Sequence, residues 1–247
     1  MAFKKMKLTS QKKVQSLLFF CFLGISTASA GPFETAVSPE HQKGVHVKII
    51  KYISRELAID VTFHYAPLGR RVHMLGSGQL DLLVGLRKTP QREKSFIFIE
   101  PAYTTGKPAS GFYINTKTKN SVDENATSAG KTIAITTGAA YIEDYKLAFP
   151  YTVIKVVSLV QAIKMLKKGR IDAFIYGKKA ANIELNKMNL NYIKPSLTIT
   201  PIMHKNNSSY IAISKSSKLI NHINQLSQIS SNLRNGKYKE LHDSHYQ

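Results

Sequence analysis

The chain predicts an α/β fold built as two similar lobes, each a mixed, mostly parallel sheet flanked by helices. Two observations carry that expectation. Short apolar runs rich in β-branched residues alternate with amphipathic stretches at helical spacing along most of the chain. And one unit occurs twice, 91 residues apart: Met74-Leu75-Gly76-Ser77-Gly78-Gln79-Leu80-Asp81 and Met165-Leu166-Lys167-Lys168-Gly169-Arg170-Ile171-Asp172. Both read M-L-x-x-G-x-(L/I)-D. Each closes a helical pattern and precedes an apolar run, Leu82-Leu83-Val84 or Ala173-Phe174-Ile175. A helix, a Gly stop, a tight turn and a buried strand make up one α/β step.

The elements follow in order. Val45, Ile49, Ile50, Ile53 and Leu57 recur at helical spacing, so 44–58 reads as an amphipathic helix. Val61–Tyr65 is a strand, as are Ser95–Ile99 and Gly111–Ile114. A polar stretch, Lys117–Gly130, separates these from a strand at Thr132–Ile135, which runs into Thr136-Thr137-Gly138. A helix is expected at 139–148, a strand at Val153–Val157, a helix at 158–168, a strand at 171–176 and a helix at 178–188. A strand at Ser209–Ser214 and one long helix at 216–234 end the pattern.

The first thirty residues read as an address rather than as fold. Lys4, Lys5, Lys7, Lys12 and Lys13 precede an apolar run from Leu17 to Ile25, and small residues follow to Ala28-Ser29-Ala30. These are the three parts of a secretory signal peptide, and the apolar run is shorter than the ~20 residues that span a bilayer. Cleavage near Ala30 is expected to send the mature chain to the periplasm.

Composition bounds the function. Lys and Arg number 35 against 15 Asp and Glu, a net charge of +20, which invites a nucleic-acid reading. Removing 1–30, with its five lysines and no acid, leaves +15. The remaining lysines are spread (Lys117, Lys119, Lys155, Lys164, Lys167 and onward), and no nucleic-acid-reading motif accompanies them. No nucleic-acid partner is therefore expected. The single Cys, Cys21, lies inside the apolar leader, so disulfide scaffolds and Cys-rich metal sites are excluded. The eight His residues show no metal spacing, and no cofactor or metal is expected.

Residues 67–103 carry a resemblance. Leu75, Gly78, Asp81, Thr89, Arg92, Pro101 and Tyr103 form L-x-x-G-x-x-D, then T-x-x-R, then P-x-Y. The pattern resembles the bacterial extracellular solute-binding proteins of the amino-acid-transporter type, family 3. Gly31-Pro32-Phe33-Glu34 with Lys43-Gly44-Val45 is similar to the family's opening, and Gly236-Lys237-Tyr238-Lys239-Glu240-Leu241 to its C-terminus. The resemblance implies a two-lobed type II periplasmic-binding fold. Lobe 1 would be 31–112 plus 203–247 and lobe 2 would be 113–202, with hinges near 111–114 and 200–207 and a ligand cleft between the lobes. It implies a monomer that captures a small-molecule ligand for an ABC-type importer and meets a membrane permease, or a receptor if the protein is an exported ligand sensor or a divergent non-transport member. A small-molecule lyase on the same fold ranks last, because no catalytic motif is present.

The same resemblance nominates the site. Arg92 of T-x-x-R would clamp a ligand carboxylate, for which the planar, permanently charged guanidinium is suited; Thr89 belongs to the same motif. Thr137, Gly138, Ala139 and Ala140 form a strand-to-helix turn that offers backbone N–H groups. The family's hydroxyl after this glycine is replaced by Ala139 and Ala140, so polar contact falls to backbone, Thr136 or Thr137. Where amino-acid binders of the family place an Asp for the ammonium, this chain has Gly177, preceded by Tyr176. The lobe 1 loop that often supplies hydroxyls reads Gly85-Leu86-Arg87-Lys88. Arg87 would repel an ammonium by roughly 1–4 kcal/mol at contact, and Arg70 and Arg71 add to the positive field. An anionic or carboxylate-rich ligand is therefore expected. Phe33 either lines the cleft or staples the N-terminus to the core. The core strand that normally precedes the Pro-Phe pair is expected to be missing.

Overall fold

The computed structural model describes residues 31–106, 110–118, 130–140, 151–196 and 208–244. The leader, the hinge expected at 200–207 and most of the helix expected at 139–148 lie outside those residues.

Two five-stranded sheets form the two lobes. The first has the order β2-β1-β3-β10-β4, from β1 (Phe33–Val37), β2 (Val61–Tyr65), β3 (Leu82–Leu86), β4 (Phe96–Thr104) and β10 (Ser209–Ser214). The second has the order β7-β6-β8-β5-β9, from β5 (Ser110–Asn115), β6 (Thr132–Thr136), β7 (Thr152–Val156), β8 (Ala173–Gly177) and β9 (Ile193–Pro195). β1 runs parallel to β2 and β3, and β6 parallel to β7 and β8, while β10 and β5 are antiparallel to their neighbours. β5, the first strand of the second sheet, begins at Ser110.

The expected gap at the start of lobe 1 is corrected. Phe33–Val37 is itself the inner strand of the sheet. Its register pairs Phe33 with Val61 and Thr35 with both Phe63 and Leu82. Phe33 is fully buried among Ile49, Ile53 and Leu82, so it staples the core and does not wall a cleft. A glutamate in an inner strand hid the strand in the sequence. The fold accommodates it because Glu34 Oε2 lies 2.6 Å from His64 Nε2 on β2.

Each sheet packs helices on its faces. In lobe 1, α1 (Val45–Leu57) buries Ile49, Ile50, Ile53 and Leu57 on one stripe, each worth about 2 kcal/mol. The next helices are α2 (Leu68–Gly76) and the single turn α3 (Pro90–Glu93). In lobe 2, α4 (Leu159–Lys167) and α5 (Lys178–Lys187) cover the Phe174 side of the sheet. The expected long helix at 216–234 is broken. A 3₁₀ turn at Lys218–His222 leads into α6 (Ile223–Asn232), a wide turn at Leu233–Lys237 and α7 (Tyr238–Asp243). Two features cause the breaks. Ser217 Oγ caps the 3₁₀ turn by accepting from Leu219 N–H at 3.0 Å, and Gly236 sits at φ 132° inside the wide turn.

The duplicated unit builds the same device in both lobes. Gln79 N–H donates to Met74 O and Arg170 N–H to Met165 O, each at 2.9 Å, across Gly78 and Gly169 at φ 79° and 65°. This is a helix stop closed by a left-handed glycine. The following Asp then ties two strands together. Asp81 N–H donates to Glu34 O at 2.8 Å while Glu34 N–H donates to Asp81 Oδ2 at 2.8 Å. Asp172 N–H donates to Thr132 O at 2.9 Å while Thr132 N–H donates to Asp172 Oδ2 at 2.7 Å.

Candidate functional site

A cavity of about 220 Å³ lies between the two lobes, lined by residues from both sheets. Lobe 1 brings the loop after β1 (Ser38, Pro39, Glu40), the start of α2 (Pro67, Leu68, Arg71), the end of β3 (Gly85, Leu86, Arg87) and Arg92 of α3. Lobe 2 brings Thr136, Ala139, Ala140, Val157, Ser158, Tyr176 and Gly177. The lobe 2 groups sit at the C-terminal ends of β6, β7 and β8, where α/β sheets present ligand-binding loops.

Local sequence explains how these groups are held. Thr89 Oγ1 accepts from Arg92 N–H at 3.2 Å and caps the single turn that carries Arg92. Gly85, at φ 81°, leaves room for the His46 imidazole; a Cβ there would meet His46 Cε1 at 2.5 Å. Burial, with the nearby Arg71 charge second, lowers the His46 pKa to about 4, so this ring is neutral at pH 7. Leu68 packs against apolar clusters of both lobes and lines the cavity.

The charge balance is positive. Arg71, Arg87 and Arg92 face one carboxylate, Glu40, among the described lining residues. Arg71 and Arg92 are each 9% exposed. Burial pulls the Arg92 pKa down to about 10, with the Arg87 charge second, so Arg92 stays protonated at neutral pH; burial also lowers Arg71. Tyr176 is pushed up to about 12, by burial first and by the Glu40 charge second, with Arg71 pulling the other way. Two lining groups hold a buried polar atom without a hydrogen-bond partner, Nε of Arg71 and Oγ1 of Thr136.

Of the residues nominated from sequence, Arg71, Gly85, Arg87, Arg92, Ala139, Ala140, Tyr176 and Gly177 come together around this cavity. Others stand elsewhere. Phe33 is in the lobe 1 core. Arg70 is exposed, because the turn of α2 that aims Arg71 inward aims its neighbour outward. Thr89 acts as a cap. Thr137 and Gly138 abut the opposite lobe: Cβ atoms built on Gly69 and Gly138 would meet Thr137 Cγ2 at 2.8 Å and Gly69 Cα at 2.7 Å. Ser38-Pro39-Glu40 carried no signal in the sequence, because the strand that positions them, Phe33–Val37, was not read as a strand. Nothing in the local sequence marked Pro67, Leu68, Leu86, Val157 or Ser158, whose place depends on how the lobes meet.

The chain is similar to proteins of known kind. An arginine-binding periplasmic protein of Mannheimia haemolytica is 29% identical over 177 residues, covering 68% of this chain and 70% of that one. The substrate-binding protein of an amino acid ABC transporter superposes with a TM-score of 0.72 at 18% identity, over 87% of this chain and 98% of that one. AbpA of Streptococcus pneumoniae, bound to L-arginine, gives 0.72 at 18% identity over 87% and 94% of the two chains. The GLUR0 ligand-binding core with L-glutamate gives 0.68 at 15% over 87% and 98%. These structures show the type II periplasmic-binding fold. The family model for bacterial extracellular solute-binding proteins, family 3, matches residues 24–247, and the chain therefore belongs to that family of binding proteins rather than enzymes.

Proposed function

We propose that this protein captures a small carboxylate-bearing or anionic solute, amino-acid-like or an organic acid, in the cleft between its lobes, and hands it to an ABC-type permease as a monomer after export to the periplasm and signal cleavage near Ala30. The lobes would be 31–112 plus 203–247 and 113–202. The observation that carries the ligand class is the lining charge, three arginines against Glu40, two of them nine-tenths buried. A buried guanidinium without an acid is costly, and an incoming carboxylate relieves that cost by bidentate, charge-assisted hydrogen bonds. Gly177 stands where an ammonium-holding acid would be, which removes the usual partner of a zwitterion's cationic end.

A second reading rests on Glu40 and on the arginine-binding relative. A basic amino acid would set its carboxylate on the arginines and its cationic group on Glu40. Thermal-shift titration separates the two. Succinate and L-glutamate are expected to raise Tm while L-arginine and L-lysine do not; stabilisation by the basic amino acids alone overturns the anionic reading in favour of the second.

A further inference from the structure

We infer that lobe 2 carries a docking surface for anionic phospholipid, made by Lys164, Lys167, Lys168 and Arg170 at the pole opposite the cleft. The inference concerns a different face from the ligand site and does not rest on the ligand proposed above.

The duplicated unit supplies the first observation. Its two copies close a helix in the same way, with Gln79 N–H on Met74 O and Arg170 N–H on Met165 O, each at 2.9 Å. The positions that are Lys167, Lys168 and Arg170 in lobe 2 are Gly76, Ser77 and Gln79 in lobe 1. The turn therefore forms without charge, and the cations are not there to build it. Lysines in a last helical turn do complement the helix dipole. Yet α2 ends with His73 as the basic residue of its last turn, and Arg170 stands beyond α4, after Gly169. The dipole does not account for the cluster.

Place and exposure come next. Lys167 and Lys168 lie three and four residues after Lys164, so one face at the end of α4 presents all three. These three and Arg170 are exposed. Asp172 follows at the foot of β8, whose far end carries Tyr176 and Gly177 to the cleft. The cluster is thus one strand length, about 13 Å, from the cleft residues of β8. Docking by this pole leaves the cleft uncovered.

What surrounds the cluster selects the partner. Among the described residues, lobe 2 sets eleven Lys and Arg against Asp172 and Glu184, and lobe 1 sets fifteen against nine acids, so the unbalanced charge is on lobe 2. No Asp or Glu occurs from Tyr151 to Ile171. Among the described residues, the ion pairs of lobe 2 join Lys131 to Asp172 and Lys187 to Glu184, and none includes these four cations. The exposed large apolar side chains of the described residues are Tyr65, Val157, Ile183 and Ile220, none of them on α4 or in the turn. A protein partner would want such an anchor at the centre of its interface. A bilayer needs neither anchor nor groove, because a layer of anionic headgroups attracts a cluster of four or more cations by charge alone.

Sedimentation with sucrose-loaded vesicles tests this on the mature protein, using phosphatidylcholine alone or with about a third phosphatidylglycerol. Wild type is expected to pellet only with the anionic vesicles, and less as salt rises from about 50 to about 300 mM. Combining Lys164→Gln, Lys167→Gln, Lys168→Gln and Arg170→Gln is expected to lower partitioning by about 100-fold or more, since each cation near such a surface is worth about fivefold. A control combining Lys43→Gln, Lys51→Gln, Arg55→Gln and Lys239→Gln removes the same charge from lobe 1, and is expected to lose less than about tenfold. Circular dichroism melts check that both variants fold. Acetylation footprinting of the wild type reads the surface without any variant: vesicles are expected to shield Lys164, Lys167 and Lys168 and to leave Lys43 and Lys51 reactive. The assignment is overturned by a wild type that ignores anionic vesicles, by equal losses in the two variants, or by shielding of the lobe 1 lysines instead.

Discussion

The two copies of M-L-x-x-G-x-(L/I)-D make the same local bonds in different surroundings. In lobe 1 the unit lies under the segment that follows β10. Asp81 ties β1 through Oδ2, while its Oδ1 accepts from Ser217 Oγ at 2.8 Å and from Lys218 N–H at 3.3 Å. In lobe 2 the same positions are buried and exposed, but the Asp itself is more open to solvent. Asp172 ties β6 through Oδ2, and its Oδ1 lies 3.6 Å from Lys131 Nζ. The Asp81 side chain is 12% exposed and that of Asp172 31%. The motif writes the turn and the strand tie, and the energetic weight of each copy comes from what the rest of the chain lays over it.

The largest expected difference between the copies follows directly. Asp81→Ala leaves Glu34 N–H and Ser217 Oγ without their acceptor in a buried place, and is expected to cost about 3–4 kcal/mol. Asp172→Ala is expected to cost about 1 kcal/mol, because water reaches that site. Urea unfolding of the two variants checks this. Equal losses would mean that the C-terminal cover of lobe 1 adds nothing.

The glycines before these aspartates sharpen the comparison. Both need the left-handed region, so alanine at either costs about 1 kcal/mol from backbone strain. At Gly78 a Cβ would also meet Ser216 Oγ at 2.4 Å, whereas at Gly169 nothing lies within 4 Å. Gly78→Ala is expected to exceed Gly169→Ala by about 1–2 kcal/mol. The same thermal or urea melts read the difference.

Acid separates the lobes as well. No histidine occurs between His73 and His204, so nearly all of lobe 2 lacks one. In lobe 1, burial and the Arg71 charge lower the His46 pKa to about 4 from an ordinary 6.5. Between those values the unfolded chain binds the extra proton and the folded chain refuses it. The His46 contribution to stability is therefore complete above pH 6.5 and is lost as pH drops toward 4. His46→Asn is expected to flatten the lobe 1 part of that fall, followed by hydrogen exchange of α1 amides at pH 7 and pH 4.5. Unchanged pH dependence in the variant would remove His46 from the account.

The smallest expected effect concerns two helix ends. α1 stops at Ala58 (φ 53°) and α5 at Asn189 (φ 54°), with Ile59 N–H reaching Ser54 O at 3.2 Å and Leu190 N–H reaching Leu185 O at 3.0 Å. Alanine is strained in this conformation and asparagine tolerates it. Ala58→Gly is expected to stabilise by about 0.5–1 kcal/mol, and Asn189→Gly by only a few tenths.

These contrasts also mark what could be read from residues alone. The helix stops, the strands behind them and the two-lobe repeat were legible because Met-Leu, Gly and Asp act within a few residues of one another. β1 was not, since Glu34 breaks its apolar run and depends on His64 thirty residues on. Arg71, Arg87 and Arg92 were legible as residue types near a cleft. That Arg92 meets Gly138 O while Arg71 Nε meets nothing depends on how two lobes approach, which no local pattern encodes. Glu40 went unnoticed because the strand before it, β1, was not read from the sequence.

The most direct test of the central claim is native mass spectrometry of the full chain expressed with its leader and recovered from the periplasm. The account predicts a mature protein carrying one small carboxylate-rich molecule that is released on denaturation. A co-purified basic amino acid would contradict it.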